Sequence, residues 1–209
     1  MYVEYCNYNK YIEDYNKEKD LIFKAISNGV DGICTSIYLL REMKTLLPKE
    51  IVLAIAIDYP LGNLSSKVKN HAVIEGIKSG ANVIDYVPNY FLLQTNFIKF
   101  DKEMKELIAI CKDYNTTPRV FLNYQYNKDA IVLAKYYYEI GIEILFPTIG
   151  YHHDDFNDNL LNCKILEEKG NIFSVFNGYI WRQDQFEQLK EANIFGVRLY
   201  DFKFGVYSL

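Results

Sequence analysis

The feature that most constrains this chain is a repeat of strand followed by helix. Short runs rich in β-branched and aromatic residues recur at "YVEYC" (2–6), "GICT" (32–35), "IVLAIAI" (51–57), "NVIDYV" (82–87), "RVFLNY" (119–124), "EILFPT" (143–148), "NIFSVF" (171–176) and "FGVRLY" (195–200). Amphipathic stretches separate them. In "SSKVKNHAVIEGIKSG" (65–80), Val68, Ala72, Ile74, Glu75 and Ile77 roughly follow a helical period. "DKEMKELIAICKDY" (101–114), "KDAIVLAKYYYEIG" (128–141) and "RQDQFEQLKEA" (182–192) repeat the pattern. Gly29, Gly80, Gly141 and Gly170 each fit a helix C-terminal cap just before a strand. Strand–helix alternation calls for parallel strands joined by crossover helices. Eight units favour an α/β closed (β/α)8 (TIM) barrel over an open doubly wound sheet. No linker or low-complexity tract interrupts residues 1–209, so a single barrel domain is expected. A usual barrel has roughly 250 residues, so this one is trimmed, with short loops.

Composition narrows the function classes. Net charge is −4 without a basic cluster, which argues against nucleic acid as a partner. The longest apolar run, at 51–57, is too short to span a bilayer, and "MYVEYCNYNK" lacks the features of a signal peptide. Cys6, Cys34, Cys111 and Cys163 show no metal-site or redox spacing. Reduced thiols in a cytoplasmic protein are the expectation.

One carboxylate stands out. In "ANVIDYVPNY" (81–90) alternation puts Val83, Asp85 and Val87 on one face, so Asp85 sits among apolar residues near the end of strand four. Barrel sites lie at the C-terminal ends of strands. A buried acid needs a partner or a use. Asp85 either pairs with a cation or caps the loop at Pro88–Tyr90.

The segment "GVDGICTSIYLLREMKTLL" followed by "AIAIDYPLGNLSSKVKNHAVIEGIKSGANVIDYVPN" resembles the deoxyribose-phosphate aldolases. That family has a Val-Cys strand, a Phe-Pro-Leu-Gly turn, a Val-Lys pair and Gly-Ala-x-x-Ile-Asp-x-Val-x-Asn. Cys34, Pro60, Leu61, Gly62, Val68, Lys69, Gly80, Ala81, Ile84, Asp85, Val87 and Asn89 stand in those places. The later strands follow in order and spacing. The resemblance implies an aldolase-type barrel and a phosphosugar or small-aldehyde substrate. It also implies a Schiff-base mechanism, in which a strand-six lysine attacks a carbonyl while a second lysine lowers its pKa.

The residues of that mechanism are missing. The family's strand-six Lys-Thr-Ser-Thr-Gly-Phe becomes "FPTIGY", with Phe146 in the nucleophile's place and Gly150 and Tyr151 retained in kind. The strand-seven lysine aligns with Ser174, the strand-five lysine with Arg119 and its following glutamate with Asn123. Of the phosphate-binding glycines, "FNGY" keeps Gly178 beside Asn177, and Arg198 replaces the glycine of strand eight. Arg198 either holds an anion or fills the pocket and pairs with Asp85.

Two functions of different class follow. The first is an enzyme without a Schiff base, using acid–base catalysis on a small carbonyl or enol as a lyase, isomerase or cyclase. In it Asp85 is the base, Arg119 and Arg198 stabilise negative charge, and Ser174 or Asn123 orients the substrate. Phe146, Gly150, Tyr151, Asn177, Gly178 and Arg198 are then the substrate-binding set. The second is a non-catalytic protein binding a small anionic ligand or a partner protein. Neither needs a cofactor or a metal. A small carbonyl or anionic molecule is the expected partner, and a homo-oligomer is compatible with either. His152 and His153, after strand six, are read as a solvated loop or an acid–base group. Lys203 is a candidate for a migrated nucleophile, His71 is read as structural, and Cys34 as a buried thiol. Tyr59, Tyr86, Tyr90, Tyr124 and Phe176 are placed to line the mouth.

Overall fold

A computed structural model describes residues 1–7, 14–127, 129–150 and 155–200. Eight parallel strands close into a barrel in chain order. They are β1 (Tyr2–Cys6), β2 (Gly32–Cys34), β3 (Val52–Ile57), β4 (Val83–Tyr86), β5 (Thr117–Phe121), β6 (Ile144–Phe146), β7 (Phe173–Asn177) and β8 (Gly196–Leu199). The helices are α1 (Tyr15–Ser27), α2 (Ile37–Leu46), α3 (Ser66–Ser79), α4 (Tyr90–Thr95), α5 (Phe97–Asp113), α6 (Ala130–Glu139), α7 (Phe156–Gly170) and α8 (Gln183–Glu191). This is the (β/α)8 barrel that the alternation implies. Every expected strand is present, with ends shifted by at most a few residues.

The helix ends follow local chemistry. Asp14, Asn89, Asn96 and Asp155 cap α1, α4, α5 and α7 by accepting backbone N–H bonds in the first turn. Gly80 ends α3 at φ +119°, a left-handed cap that favours glycine. Gly170 departs from expectation. It is the last residue of α7, and Asn171 takes the left-handed position at φ +53°, a conformation asparagine tolerates better than most residues.

Alternation sorts the strand residues into two layers. Ile33, Ile55, Ile84, Val120, Leu145, Val197 and their like face the helices and form the main core. The inward face is different. At its N-terminal end Tyr2 stacks on Phe195, and Phe195 packs on Phe173. Register does the rest: Asp85 lies beside Arg119 on adjacent strands, and Glu4 lies beside Arg198. Parallel pairing therefore sets two acid–arginine pairs inside one barrel before any tertiary choice is made.

The shell around β4 is tied by one lysine. Lys69 of α3 is fully buried, and its ammonium donates to the carbonyls of Gly62 and Val87 at 2.9 and 3.0 Å and to Glu103 of α5 at 3.0 Å. Asp58 stands 3.4 Å away, and the Tyr86 ring 4.9 Å. This knot joins α3, α5, the β3–α3 loop and the end of β4. Removing one partner of a buried ion pair strands the other charge. Lys69→Met should therefore destabilise the fold by about 3–5 kcal/mol in chemical denaturation. A loss below about 1 kcal/mol, the level of an exposed pair, would refute the knot.

Candidate active site

Inside the barrel, Glu4, Asp85, Arg119 and Arg198 meet in one cluster. Arg119 grips Asp85 side-on, with Nε 2.6 Å from Oδ1 and Nη2 3.0 Å from Oδ2. The same Nη2 donates to Glu4 Oε2 at 2.7 Å. Arg198 Nε donates to Glu4 Oε1 at 2.7 Å, and its Nη2 donates to Asp85 Oδ2. Each guanidinium thus bridges both carboxylates, and two cations balance two anions. Arg119 is 2% exposed and the other three 0%, so water does not share these bonds. The tyrosine hydroxyl of Tyr2 donates to Glu4 at 2.7 Å, and the Cys34 thiol to Asp85 at 3.3 Å.

Aromatic rings cover the cluster. Phe121 and Phe146 stack with centroids 4.6 Å apart. The Arg198 and Arg119 guanidiniums lie 4.2 and 5.0 Å from the Phe146 ring centre, within cation–π range. The Phe146 ring thus rests on two cations.

The titration of Asp85 follows. Burial alone would push its pKa up, but the charges of Arg119 and then Arg198, with their hydrogen bonds, outweigh it and hold the carboxyl below its usual range. Cys34 goes the other way: burial first, then the hydrogen bond with its neighbour Cys6, push the thiol up. Cys34 is thus a protonated thiol and not a nucleophile.

Asp85 does not cap the following loop. Asn89 does, accepting the Leu92 N–H at 3.0 Å. Asp85, Arg119, Arg198 and Phe146 converge as expected. Ser174 does not. Its hydroxyl donates to Glu167 at 2.8 Å and lies 3.2 Å from the Cys163 carbonyl, both on α7, so it faces the helical shell. The inward residues of β7 are Val175, packed on Val87, Phe121 and Phe146, and Asn177. A strand alignment displaced by one residue turns every side chain to the other face. Phe176 likewise packs outward on Phe156, and Tyr86 lies against Lys69. Both leave the mouth. Tyr90 keeps its place near it, its hydroxyl donating to the Phe121 carbonyl at 2.8 Å, and the Tyr59 ring stands 5.9 Å from Phe121. Tyr124 lies in a short 3-10 turn after β5.

Above the cluster a polar ring joins β6, β7 and β8. Asn177 Nδ2 donates to the Thr148 carbonyl at 2.9 Å, and the Tyr200 hydroxyl donates to Asn177 Oδ1. The Gly150 N–H donates to Thr148 Oγ1 at 3.1 Å. A Cβ on Gly150 would stand 2.8 Å from Asn177 Nδ2, so only glycine fits. Gly178 instead backs onto Asn159 of α7. Asn123, two residues past the end of β5, caps the following 3-10 turn in the left-handed region at φ +55° and is 5% exposed. Tyr151, His152, His153 and Lys203 lie outside the described residues. Glu4 is the member of the cluster that sequence reasoning passed over. Alternation in "YVEYC" places its carboxylate mid-strand between inward Tyr2 and Cys6, the same signal that singled out Asp85.

Glu4, Cys34 and Asp85 bring three potential ligand atoms within 4.8 Å of one another. The donor set does not suit a divalent ion, because two guanidiniums already neutralise both carboxylates and would repel it.

No family model matches the chain. Solved structures do. The aldolase QR15 superposes with a TM-score of 0.78 at 18% identity, over 95% of this chain and 89% of that one. The tetrameric deoxyribose phosphate aldolase from Aeropyrum pernix gives 0.79 at 15% identity, over 94% and 84%. The 7,8-dihydropteroate synthase from Vibrio fischeri ES114 gives 0.60 at 12%, over 97% and 88%. The chain therefore has the barrel fold of the deoxyribose-phosphate aldolases, and the likeness is one of fold.

Replacing Asp85 by Asn leaves two buried guanidiniums with one anion, so Asp85→Asn should cost about 3–5 kcal/mol at neutral pH. The sign with pH follows from the lowered pKa. The stabilisation by Asp85 is complete above its unfolded value, about pH 4, and is lost as pH falls through the lower folded value. The gap in melting temperature between wild type and Asp85→Asn should be widest near neutrality and narrow below about pH 4. A gap independent of pH would mean that Asp85 is not ionised in the fold.

Proposed function

We propose that this protein is a non-catalytic aldolase-fold protein that binds a small neutral carbonyl compound at the barrel mouth and assembles as a homo-oligomer. One observation carries the reading: both oxygens of Asp85 are held by two guanidiniums in a cluster with almost no exposed surface. A general base must reach the proton it takes, and the side chains bonded to Asp85 are Arg119, Arg198 and Cys34. Its lowered pKa makes it a weak base as well. Arginine carries its charge permanently and cannot supply the neutral amine of a Schiff base.

The mouth supports binding. Thr148, Gly150, Asn177 and Tyr200 form a fixed polar ring. Beside it Tyr179 and Trp181 stack at 5.1 Å, 40% and 59% exposed, with Tyr179 also 5.4 Å from Tyr200. Polar groups set among aromatic surface suit a small, weakly polar ligand. Arg119 and Arg198 are committed inside, which disfavours the phosphosugar of the aldolases. The four free, buried cysteines fit a reducing, cytoplasmic setting. The tetrameric aldolase of like fold supports self-association. No helix among the described residues is long and apolar enough to cross a membrane.

Treatment with acetaldehyde and borohydride, followed by peptide mass mapping, tests the loss of chemistry. Slow, scattered adducts on exposed lysines are expected, with no cleavage of 2-deoxyribose 5-phosphate. Rapid stoichiometric labelling of a single lysine, Lys203 being the candidate, would restore the aldolase reading. Ser174→Lys should give no activity, since that side chain faces α7. Trp181 is the only tryptophan, so its fluorescence reports the mouth. Titration with 2-deoxyribose should change it. A response to the phosphorylated sugar alone would overturn the neutral-ligand reading.

A further inference from the structure

A groove of about 1040 Å³ runs between α3 and α5, beside α4. Val68, Ile74 and Leu92 give it an apolar lining, and Val68 is 49% exposed. An apolar trough between two helices is the shape into which an amphipathic helix lays its apolar face.

The charges along the groove say what such a helix must carry. Lys67, Lys99 and Lys102 line it, together with Glu103 and Glu106. Both carboxylates are already committed. Glu103 is buried and bonded to Lys69 at 3.0 Å. Glu106 accepts a hydrogen bond from Asn70 at 2.8 Å and stands 3.9 Å from Lys102, whose side chain is 78% exposed. Lys67 and Lys99 form no ion pair with a described residue. They stand in the first turns of α3 and α5, neither of which has an acid there. A cation in a first turn opposes the helix dipole, where an acid would be favoured. These two lysines therefore weaken their own helices and gain nothing within the chain, a local conflict of the kind that marks a binding surface. The unanswered charge at the groove is positive, while the chain as a whole carries −4. An acidic partner is repelled over most of the surface and drawn to this groove. The concave apolar trough favours a protein helix over a flat membrane or a nucleic acid, whose phosphates would leave the trough unfilled.

We propose that this groove docks an acidic amphipathic helix of a partner protein, its apolar face on Val68, Ile74 and Leu92 and its carboxylates on Lys67, Lys99 and Lys102. The probe is a fluorescein-labelled peptide of about 15 residues, near the length at which an isolated helix begins to hold. It carries Leu at helical spacing and Glu elsewhere, and its binding to the full chain is read by anisotropy. It should bind, more weakly as salt is raised. Its counterpart with Gln for every Glu should bind at least about tenfold more weakly. The Lys67→Glu/Lys99→Glu double variant should lose about tenfold in affinity for the acidic peptide. The same variant should melt about 2–4 °C higher than wild type, because each change removes a conflict with a helix dipole. No binding of the acidic peptide, equal binding of the two peptides, or a double variant that binds like wild type overturns the proposal. A double variant that melts lower than wild type overturns it too, since the lysines would then serve the fold. Light scattering in which wild type assembles and the double variant does not would give the groove to a second copy. Cosedimentation of wild type with phosphatidylserine vesicles, lost in the double variant, would give it to a membrane. Either result overturns the partner helix.

Discussion

Four ionised side chains taken out of water together are the constraint on which this molecule depends. Each would cost several kcal/mol alone. The cost is offset because every carboxylate oxygen of Glu4 and Asp85 receives a guanidinium N–H and each guanidinium spans both acids. Lysine could not do this. Its ammonium is a point donor, whereas the planar guanidinium presents donors in a fork that fits two carboxylates at once. The aromatic stack of Phe121 and Phe146 completes the enclosure with surfaces that tolerate cations.

The barrel explains how such a cluster can assemble. Parallel register places Asp85 next to Arg119, and Glu4 next to Arg198. Closure of eight strands then brings the two pairs across the interior to each other. Inward positions of strands β5 and β8 are used here for cations that never lose a proton. One barrel fold can carry very different interiors, which is why the fold alone does not assign an activity.

The architecture was legible in the sequence because strand and helix periods differ, and the two alternate without interruption from Tyr2 to Leu199. Asp85, Arg119, Arg198 and Phe146 were legible for a related reason: period-two alternation assigns a face to each. Ser174 was misplaced because β7 has no charged residue to anchor its register, and "NIFSVF" reads as apolar in either frame. Val175 and Ser174 are both small enough for either side. Glu4 was legible by the alternation in "YVEYC" but carries no distinctive neighbours. That Arg198 fills the pocket, and does not wait for an anion, could not be read from the chain. It depends on Glu4 arriving from the opposite end of the sequence.

The mutual dependence of the four charges has a consequence for descent. Exchange of any one of them alone leaves a buried ion without its counterpart, so each single step away from the present set passes through a weakened protein. Phe146 adds to this, because a lysine at its place would set a third cation against Arg119 and Arg198. A lineage that has acquired the set can drift freely at its surface while its interior is held fixed. Leaving the present set would need several changes at once, so the interior works as a ratchet: once closed, it holds the centre of the barrel in place.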